Sequence, residues 1–365
     1  MLAPDSTPSV PAPSDSPLAS PPRFRVFAGR LLVSLLIAAG FVWLLSRGGL
    51  PMLPPSAALE RLAWWSIPLY VVLTCLGTGL RTYRWVHLLR PIQPRLSAQY
   101  AWGVGLAGFA AVVLAPLRMG EMARPWLISR RGDVRFMQAT GAVGAERVVD
   151  GLLLMSMLAI SLLLAPRLSP LPDHIGDLRA PVALVPAIAN SALLTFALAF
   201  ALMAAFYFFR ELVQRIVRST LARVSPKLAD WTIAQLERVS DGLRFLPSRR
   251  HAGAFLRDSL LYWAWNGLAY WVLLRGAGLS ADLSQAVVIM GVMGLGTLLP
   301  SGPGFFGTYQ LGAYCGLAMF FPESQVVQAG AVFTFVSYTC QLVIIVVFGL
   351  IGLKLMASAP PRSEY

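Results

Sequence analysis

The chain has 365 residues, of which 56% are hydrophobic and only 13% are charged. Soluble domains carry about 25% charged residues, so this chain could not cover a water-facing surface. The composition excludes a soluble globular protein and indicates an integral membrane protein. The net charge is +13, and all 30 basic residues are arginine except Lys227 and Lys354. They lie in short segments between apolar runs, which indicates contact with anionic lipid and argues against nucleic acid as a partner.

Sequence patterns for cofactors, metals and catalysis are missing. The three cysteines all lie inside apolar runs and give neither a disulfide framework nor a metal-binding spacing. There is no Gly-Lys-Ser/Thr phosphate loop. We therefore expect no cofactor, no metal ion and no enzymatic activity. A Gly-x-Gly-x-x-Gly match at Gly103, Gly105 and Gly108 has no preceding strand, which favours close helix packing over a nucleotide site.

The chain starts with a polar tail and continues as a series of apolar runs. Residues 1–22 hold seven prolines and five serines, a composition that predicts a disordered tail. Residues 23–356 form the predicted transmembrane domain, and residues 357–365 form a short C-terminal tail. Six runs predict full membrane spans: Phe27–Ser46, Leu62–Leu80, Phe136–Ala165, Val182–Phe209, Ala254–Leu274 and Val326–Leu353. Two others, Ser97–Arg135 and Leu283–Phe321, are interrupted by proline and glycine and predict re-entrant helical hairpins.

The second span ends with the sequence Arg81-x-x-Arg84-Trp85. Arginine side chains at a span end reach toward the headgroups while their methylene groups stay in apolar surroundings. The pair is expected either to do this at the cytoplasmic surface or to form a basic rim where a lipid enters.

The first interrupted run breaks at Pro116 and Gly120, residues that disrupt helical hydrogen bonding. Arg118 and Arg124 flank the bend, and guanidinium groups bind phosphate through two parallel hydrogen bonds. Glu121 is spaced to pair with either arginine. The alternative is that these arginines are salt-bridged anchors on the cytoplasmic side.

The next span carries three charges, Glu146, Arg147 and Asp150. Glu146 and Asp150 are four residues apart and share a helix face, and Arg147 is spaced to pair with Asp150. Charge inside a bilayer is costly and usually functional. The triad therefore predicts a polar lining that contacts a lipid headgroup, or else a salt bridge that locks two helices together.

Residues 210–257 form the only sizeable polar stretch, with ten basic and four acidic residues. Apolar residues recur within it at helical spacing. This pattern predicts one or two amphipathic helices, which lie either on the membrane surface or against the end of the bundle.

The second interrupted run breaks at five residues that disfavour a helix: Pro300, Gly302, Pro303, Gly304 and Gly307. Non-helical backbone at membrane depth must face protein or water. The break therefore predicts a polar cavity, with Thr308, Tyr309 and Gln310 as candidate lining residues. A tight turn outside the membrane is the alternative.

The distribution of basic residues predicts the orientation of the spans. If both interrupted runs return to the side from which they start, 24 of the 30 basic residues lie on the same side as the N- and C-termini and five on the other. The positive-inside rule makes that first side cytoplasmic. The spans around each interrupted run then have opposite orientations, as in transporters built from inverted repeats. The predicted fold is an all-α polytopic membrane protein with about six full spans and two re-entrant hairpins.

Four motifs in order resemble the lysylphosphatidylglycerol synthase transmembrane domain family, also called flippase-like domain proteins. The matching residues are Arg81, Arg84 and Trp85; Pro116, Arg118, Gly120, Glu121 and Arg124; Glu146, Arg147 and Asp150; and the break from Pro300 to Gly307. Members of the family often have an acid after that break, where this chain has Gln310. The resemblance extends over residues 27–355.

The resemblance implies a bacterial inner-membrane protein that moves lipids, or lipid-linked intermediates, between leaflets. Aminoacyl transfer is not expected, because in the family it belongs to a separate soluble domain. The arginines predict an anionic or phosphate-bearing lipid. Two alternatives remain: a non-transporting partner of a lipid or glycosyl synthase that uses residues 210–257, and a membrane-embedded lipid-modifying enzyme.

Overall fold

A computed structural model describes residues 24–131, 134–179, 182–223 and 225–360, except for the side chains of residues 24–27 and 117–119. The predicted N-terminal tail and residues 361–365 lie outside this part of the chain. The described residues form fourteen α-helices: α1 (Phe24–Arg47), α2 (Ser56–Glu60), α3 (Ser66–Leu89), α4 (Ala98–Leu114), α5 (Ala123–Ser129), α6 (Phe136–Leu164), α7 (Val185–Phe208), α8 (Arg210–Leu221), α9 (Pro226–Gly242), α10 (Arg249–Gly276), α11 (Leu283–Gly296), α12 (Thr308–Ala318), α13 (Glu323–Gln325) and α14 (Ala331–Ala357).

Short segments of other secondary structure connect these helices. Two strands that the sequence did not predict, β1 (His174–Ile175) and β2 (Leu178–Arg179), pair antiparallel in the loop between α6 and α7. Tight 3₁₀ turns occupy Pro116–Met122, Val182–Leu184 and Pro303–Phe305, and a π-turn at Val326–Gly330 joins α13 to α14.

Capping side chains fix where the two interrupted runs begin. The Oγ of Ser97 accepts a hydrogen bond from the backbone N–H of Tyr100 at the start of α4 (3.3 Å). At the start of α11, Asp282 accepts from the backbone N–H of Gln285 (2.8 Å), and the Gln285 side chain accepts from the Asp282 N–H (3.0 Å). Such caps satisfy backbone donors that a helix start leaves unpaired.

The first hairpin consists of α4 and α5. It begins and ends at the end of the bundle that contains residues 90–97 and 358–360, which is called the basic end. The hydroxyl of Tyr100 in α4 donates to the carbonyl of Leu127 in α5 (2.8 Å). Beside it, the Nε2 of Gln99 donates to the Oγ of Ser358, just after α14 (2.9 Å). The start of α4, the end of α5 and the end of α14 therefore lie together, and the chain returns to the side from which it started.

The second hairpin consists of α11 and α12, and it begins and ends at the opposite end of the bundle. The side chain of Gln285 in α11 donates to the carbonyl of Pro166 (3.5 Å), and the N–H of Leu168 donates to the carbonyl of Met319 after α12 (3.0 Å). With 14 and 11 residues, α11 and α12 are too short to cross a hydrocarbon core of about 30 Å at about 1.5 Å per residue. The two hairpins are thus re-entrant from opposite ends, as the sequence predicts.

Six helices, α1, α3, α6, α7, α10 and α14, run between the two ends. Helices α1, α6, α7 and α14 are both long enough and apolar enough to cross a membrane. Helices α3 and α10, with 24 and 28 residues, have the length but a more polar composition. An all-α membrane fold is confirmed, and six full spans stay a prediction.

The helix pairs have the symmetry of an inverted repeat. One half consists of α3, the first hairpin and α6, and the other of α10, the second hairpin and α14. Helix α3 packs antiparallel on α10, α4 on α14, and α11 on α6. In the two halves α3 corresponds to α10, α4 to α11 and α6 to α14. The α4–α14 contact therefore corresponds to the α11–α6 contact, and the α3–α10 contact corresponds to itself. Two repeats of opposite orientation produce this pairing.

The polar stretch at residues 210–257 forms α8, α9 and the first turns of α10. Helix α9 buries Ala229 and Ile233 and packs on α6. Helix α8 has no buried residue, and Leu212 and Ile216 are each 53% exposed. One amphipathic helix is therefore held against the bundle, whereas the other packs on α9 and leaves part of its apolar face, Leu212 and Ile216, exposed.

The close α4–α14 contact predicts the effect of a single methyl group. A Cβ added at Gly352 would lie 2.6 Å from the backbone nitrogen of Ala107 and 2.7 Å from the carbonyl oxygen of Gly103. Because backbone atoms cannot move aside, we expect Gly352→Ala to lower the free energy of unfolding by about 1–3 kcal/mol. Thermal unfolding of the purified protein in detergent measures this effect.

The control is Gly79→Ala in α3, where nothing lies within 4 Å of the added Cβ. This variant should be unchanged or up to about 1 kcal/mol more stable. Equal stability of the two variants would contradict the close packing of α4 on α14.

Candidate functional site

A buried ionic cluster lies where α3, α5 and α6 meet. Glu146 is 0% exposed, and its Oε2 accepts a hydrogen bond from the Nη1 of Arg124 (2.6 Å). Its Oε1 lies 3.5 Å from the Nη2 of Arg84. Asp150, one turn further along α6, accepts from both terminal nitrogens of Arg84, with 2.6 Å between Nη2 and Oδ2. Each acid of α6 thus compensates an arginine on another helix.

Space for Arg124 comes from the absence of a side chain at Gly108. A Cβ there would lie 2.0 Å from the Cγ of Arg124. The guanidinium lies 4.3 Å from the ring centroid of Phe109 and 4.8 Å from that of Trp85. At Gly103 an added Cβ would lie 2.8 Å from the carbonyl oxygen of Gly352 in α14. The packing role predicted for the glycine motif is confirmed at these positions.

Arg84 is held from α10 as well as from α6. Its Nη1 donates to the Oγ of Ser259 (2.9 Å), and its guanidinium lies 4.8 Å from the ring centroid of Tyr262. Arg84 is 0% exposed, so it does not extend to the headgroup region. Its hydrogen bonds join the three helices α3, α6 and α10.

The predicted pair between Arg147 and Asp150 is wrong. Arg147 instead has its Nε 3.1 Å from the Oε2 of Glu121, in the turn before α5. Asp150 faces α3, where Arg84 offers two parallel N–H groups, a stronger arrangement than a single contact along one helix. A partner on another helix therefore displaces the partner three residues away.

The predicted pair between Glu121 and Arg124 is also replaced. Arg124 turns toward Glu146 instead. The side chain of Arg118, the other partner predicted for Glu121, lies outside the described residues. Pro116 begins the 3₁₀ turn at the break, and Gly120 packs with its Cα against the backbone of α4.

A cavity of about 480 Å³ lies beside the cluster, within the range of about 300–1,000 Å³ typical of ligand sites. Both broken segments line it, through Glu121 in the first and Gly304, Phe305 and Tyr309 in the second. The second break therefore borders an internal cavity and is not a tight turn outside the bundle.

The side chains around this cavity are of three chemical kinds. The ionic lining consists of Arg81, Glu121, Arg147 and Asp150. The neutral polar lining consists of Asn266, Tyr270, Thr297, Tyr309, Tyr338 and Gln341. The apolar lining includes Leu154, Phe196, Met290, Met293, Leu342 and Ile345. Charged, hydrogen-bonding and hydrocarbon groups thus border one space.

Arg81 differs from the other arginines of the cluster because it forms no ion pair with any described carboxylate. Its guanidinium lies 4.0 Å from the ring centroid of Phe109 and 5.8 Å from that of Tyr262. The described side chains of the cluster are four arginines, at positions 81, 84, 124 and 147, and three carboxylates, at positions 121, 146 and 150. The excess positive charge therefore lies at Arg81, next to the cavity.

Known protein families provide an independent comparison. The family described as "Lysylphosphatidylglycerol synthase TM region" matches residues 31–345. The chain belongs to this family. No curated protein and no solved structure matches the chain. The matched range contains the ionic cluster and every residue named above as cavity lining, and it confirms the family predicted from the four motifs.

The second break of this family member has an irregular backbone. Gly304 and Gly307 have φ angles of +73° and +90°, which favour glycine. Pro303 begins a 3₁₀ turn, Gly302 packs against Ala38 of α1, and Pro300 is exposed. These residues shape the backbone, and of the five only Gly304 borders the cavity.

Two of the predicted lining residues instead bond to the backbone at the start of α12. The Oε1 of Gln310 accepts a hydrogen bond from the Gly307 N–H (2.7 Å), and the Oγ1 of Thr308 donates to the carbonyl of Phe305 (3.1 Å). Neither side chain lines the cavity. The Gln310 oxygen is needed there because the first N–H groups of a helix have no partner within the helix. Tyr309 is the one of the three that reaches the cavity.

Sequence reasoning missed the contribution of α10 and α14 to the cavity. Asn266 and Tyr270 are four residues apart in α10, and Tyr338 and Gln341 are three apart in α14. Polar groups at helical spacing inside apolar spans were the available signal. Within the described residues, no group of three or more His, Cys, Asp or Glu side chains is placed to hold a metal ion.

The geometry distinguishes residues whose ion pairs hold the cluster together from Arg81, which faces the cavity. Glu146→Gln leaves two buried guanidiniums without their shared carboxylate, and we expect a loss of about 3–5 kcal/mol in stability. Arg81→Gln breaks no ion pair and should change stability by less than about 1 kcal/mol. Thermal unfolding in detergent measures both variants. A larger loss for Arg81→Gln would contradict this division.

Proposed function

We propose that this protein moves a phosphate-bearing lipid between the two leaflets of the bacterial inner membrane. The observation that carries the proposal is one cavity, bordered by both broken segments, that combines an apolar lining with an arginine that pairs with no described carboxylate. In this arrangement a headgroup binds among the charged and polar side chains while the hydrocarbon chains stay against apolar side chains or lipid.

Arg81 is the proposed contact for the phosphate. A guanidinium offers phosphate two parallel N–H groups and stays charged when buried. The carboxylates of Glu146 and Asp150 already bind other arginines, so they do not neutralise Arg81 through a direct pair. A phosphate entering the cavity would meet the excess positive charge of the cluster, which offsets part of its cost of leaving water.

The two hairpins give the cavity a route to each side of the membrane. They enter from opposite ends and meet at the same space, as in transporters whose broken helices border the substrate site. Movement of one hairpin at a time would expose the headgroup first to one leaflet and then to the other. The basic end carries most of the arginines and would face the cytoplasm, with both termini on that side.

Movement of the lipid would be passive or coupled to an ion gradient, and it would need no covalent chemistry. We therefore propose that the protein is not an enzyme and acts without a cofactor. Mass spectrometry of lipid recovered after transport tests this part, because a modified lipid would instead favour the lipid-modifying alternative.

The test of translocation is flipping of labelled lipids in proteoliposomes of the purified protein. Anionic phospholipid, aminoacylated phospholipid and polyprenyl-phosphate lipid are compared. We expect acceleration of at least one class and a loss of about tenfold or more in Arg81→Gln, since a hydrogen bond to a charged group contributes about 1.5–3 kcal/mol.

Arg90→Gln is the matched control, because Arg90 is exposed at the end of the same helix. It should flip lipid at the unaltered rate. If folded protein accelerates no class of lipid, or if both variants are equally impaired, the proposed role of the cavity is contradicted.

A second candidate function is that of a membrane partner for a lipid or glycosyl synthase. The observation in its favour is the exposed part of the apolar face of α8, where Leu212 and Ile216 lie beside Arg215 and Arg218. In that case Arg215→Glu with Arg218→Glu abolishes function in cells, and Arg81→Gln leaves it intact. If the protein translocates lipid, Arg81→Gln abolishes function in cells and the α8 double variant leaves it intact. Complementation of a deletion strain with each variant therefore separates the two functions.

A further inference from the structure

We propose that the preferred lipid carries, on its phosphate, a neutral hydroxyl-bearing group such as glycerol or a single sugar, and not an ammonium group. This inference rests on the proposed translocation and specifies the substrate class of the same cavity. It follows from the hydrogen-bonding capacity, the charge and the volume of the lining.

The neutral polar lining contains side chains whose hydrogen-bonding groups are unused. The hydroxyl of Tyr338 and the carboxamide of Gln341 border the cavity and form no hydrogen bond with any residue of the described chain. Tyr338 also has ring contacts with Phe306 and Tyr309, with centroids 5.8 and 5.3 Å apart, which limit the movement of its ring. Its hydroxyl is thus held in place and is available to a ligand.

Asn266 adds an acceptor to this lining. It donates from its Nδ2 to the carbonyl of Tyr262 (2.7 Å), which leaves its Oδ1 for another partner. Tyr309 adds none, because its hydroxyl donates to the Oγ of Ser337 (3.0 Å) and accepts from Tyr270 (3.2 Å). The lining therefore offers both donors and acceptors to a bound group.

A hydroxyl group matches such a lining better than an ammonium does. Hydroxyls both donate and accept, whereas an ammonium has three donors and no acceptor. An ammonium in this space would satisfy the acceptors but leave the N–H groups of Gln341 without a partner. Buried donors without partners are costly, which disfavours the cationic headgroup.

The charges around the cavity also disfavour an ammonium group. Both carboxylates of the ionic lining are already next to arginines, Glu121 with Arg147 and Asp150 with Arg84. Burying an ammonium without a free carboxylate is unfavourable, and here the excess charge of the described cluster is also positive. A neutral group avoids this repulsion, while its phosphate still gains the contact with Arg81.

The volume of the cavity suits a small neutral group. About 480 Å³ lies in the lower half of the range of about 300–1,000 Å³ typical of small-ligand sites. A phosphate with glycerol or one sugar is a ligand of this size class. A long oligosaccharide would extend outside the cavity.

The test compares phospholipids with the same labelled acyl chains and different headgroups in proteoliposomes of the full-length protein. Phosphatidylglycerol and phosphatidylinositol carry hydroxyls, and phosphatidylethanolamine and lysyl-phosphatidylglycerol carry an ammonium. We expect the first two to flip about tenfold faster, equivalent to about 1.4 kcal/mol. Equal rates, or a faster rate for either ammonium lipid, would overturn the inference while leaving translocation established.

Variants show whether the neutral polar lining causes the selectivity. Tyr338→Phe and Gln341→Leu should slow the two hydroxyl-bearing lipids by about tenfold and leave the ammonium lipids unchanged, so that the ratio approaches one. Tyr83→Phe, an exposed tyrosine of α3, is the control. Selectivity that persists in both lining variants, with unfolding temperatures unchanged, would also overturn the inference.

A binding measurement distinguishes failure of this inference from failure of translocation. Calorimetric titration of the detergent-solubilised protein with short-chain phosphatidylglycerol and phosphatidylethanolamine does not require movement across a membrane. Tighter binding of the glycerol lipid without flipping would support the substrate class and contradict transport. Absence of preferential binding would contradict the substrate class whatever the transport result.

Discussion

The arrangement of the helices depends on ion pairs to one carboxylate that is buried away from water. Glu146 is fully buried, and its two oxygens face arginines on two other segments, Arg84 in α3 and Arg124 in α5. A buried charge is stable only when it is paired and hydrogen-bonded. The first hairpin must therefore return to α6, because Arg124 is at its returning helix. Gly108 permits that approach, since any larger side chain would occupy the space of Arg124.

The same ion pairs determine which charged side chain is available to a ligand. Asp150 is paired with Arg84, and Glu121 lies next to Arg147, so the three described carboxylates of the cluster are all adjacent to arginines other than Arg81. One set of charges holds helices together, and Arg81, which pairs with no carboxylate in the described part of the chain, borders the cavity. This division explains how a membrane interior can contain so many charges and still have one available for an anionic group.

The two breaks border one cavity because irregular backbone needs polar surroundings. Gly304 and Glu121 come from hairpins that enter the bundle at opposite ends, yet they line the same space. Helix α1 covers the second break on another side, where the hydroxyl of Ser34 donates to the carbonyl of Ser301 (3.2 Å). Backbone groups freed by proline and glycine are thus shielded from lipid by protein or by the cavity.

The sequence by itself determined the membrane class, the family, the helical segments and the two re-entrant hairpins. Hydropathy, proline and glycine act within one segment, and the distribution of arginines is counted along the chain, so they can be interpreted without knowing which helices touch. Only the tertiary structure decided which charges pair, because a partner on a facing helix displaced the local partner of Asp150. It also assigned Gln310 to a helix cap and brought Tyr338 and Gln341 to the cavity. Contacts between helices depend on which faces meet, and a single segment does not contain that information.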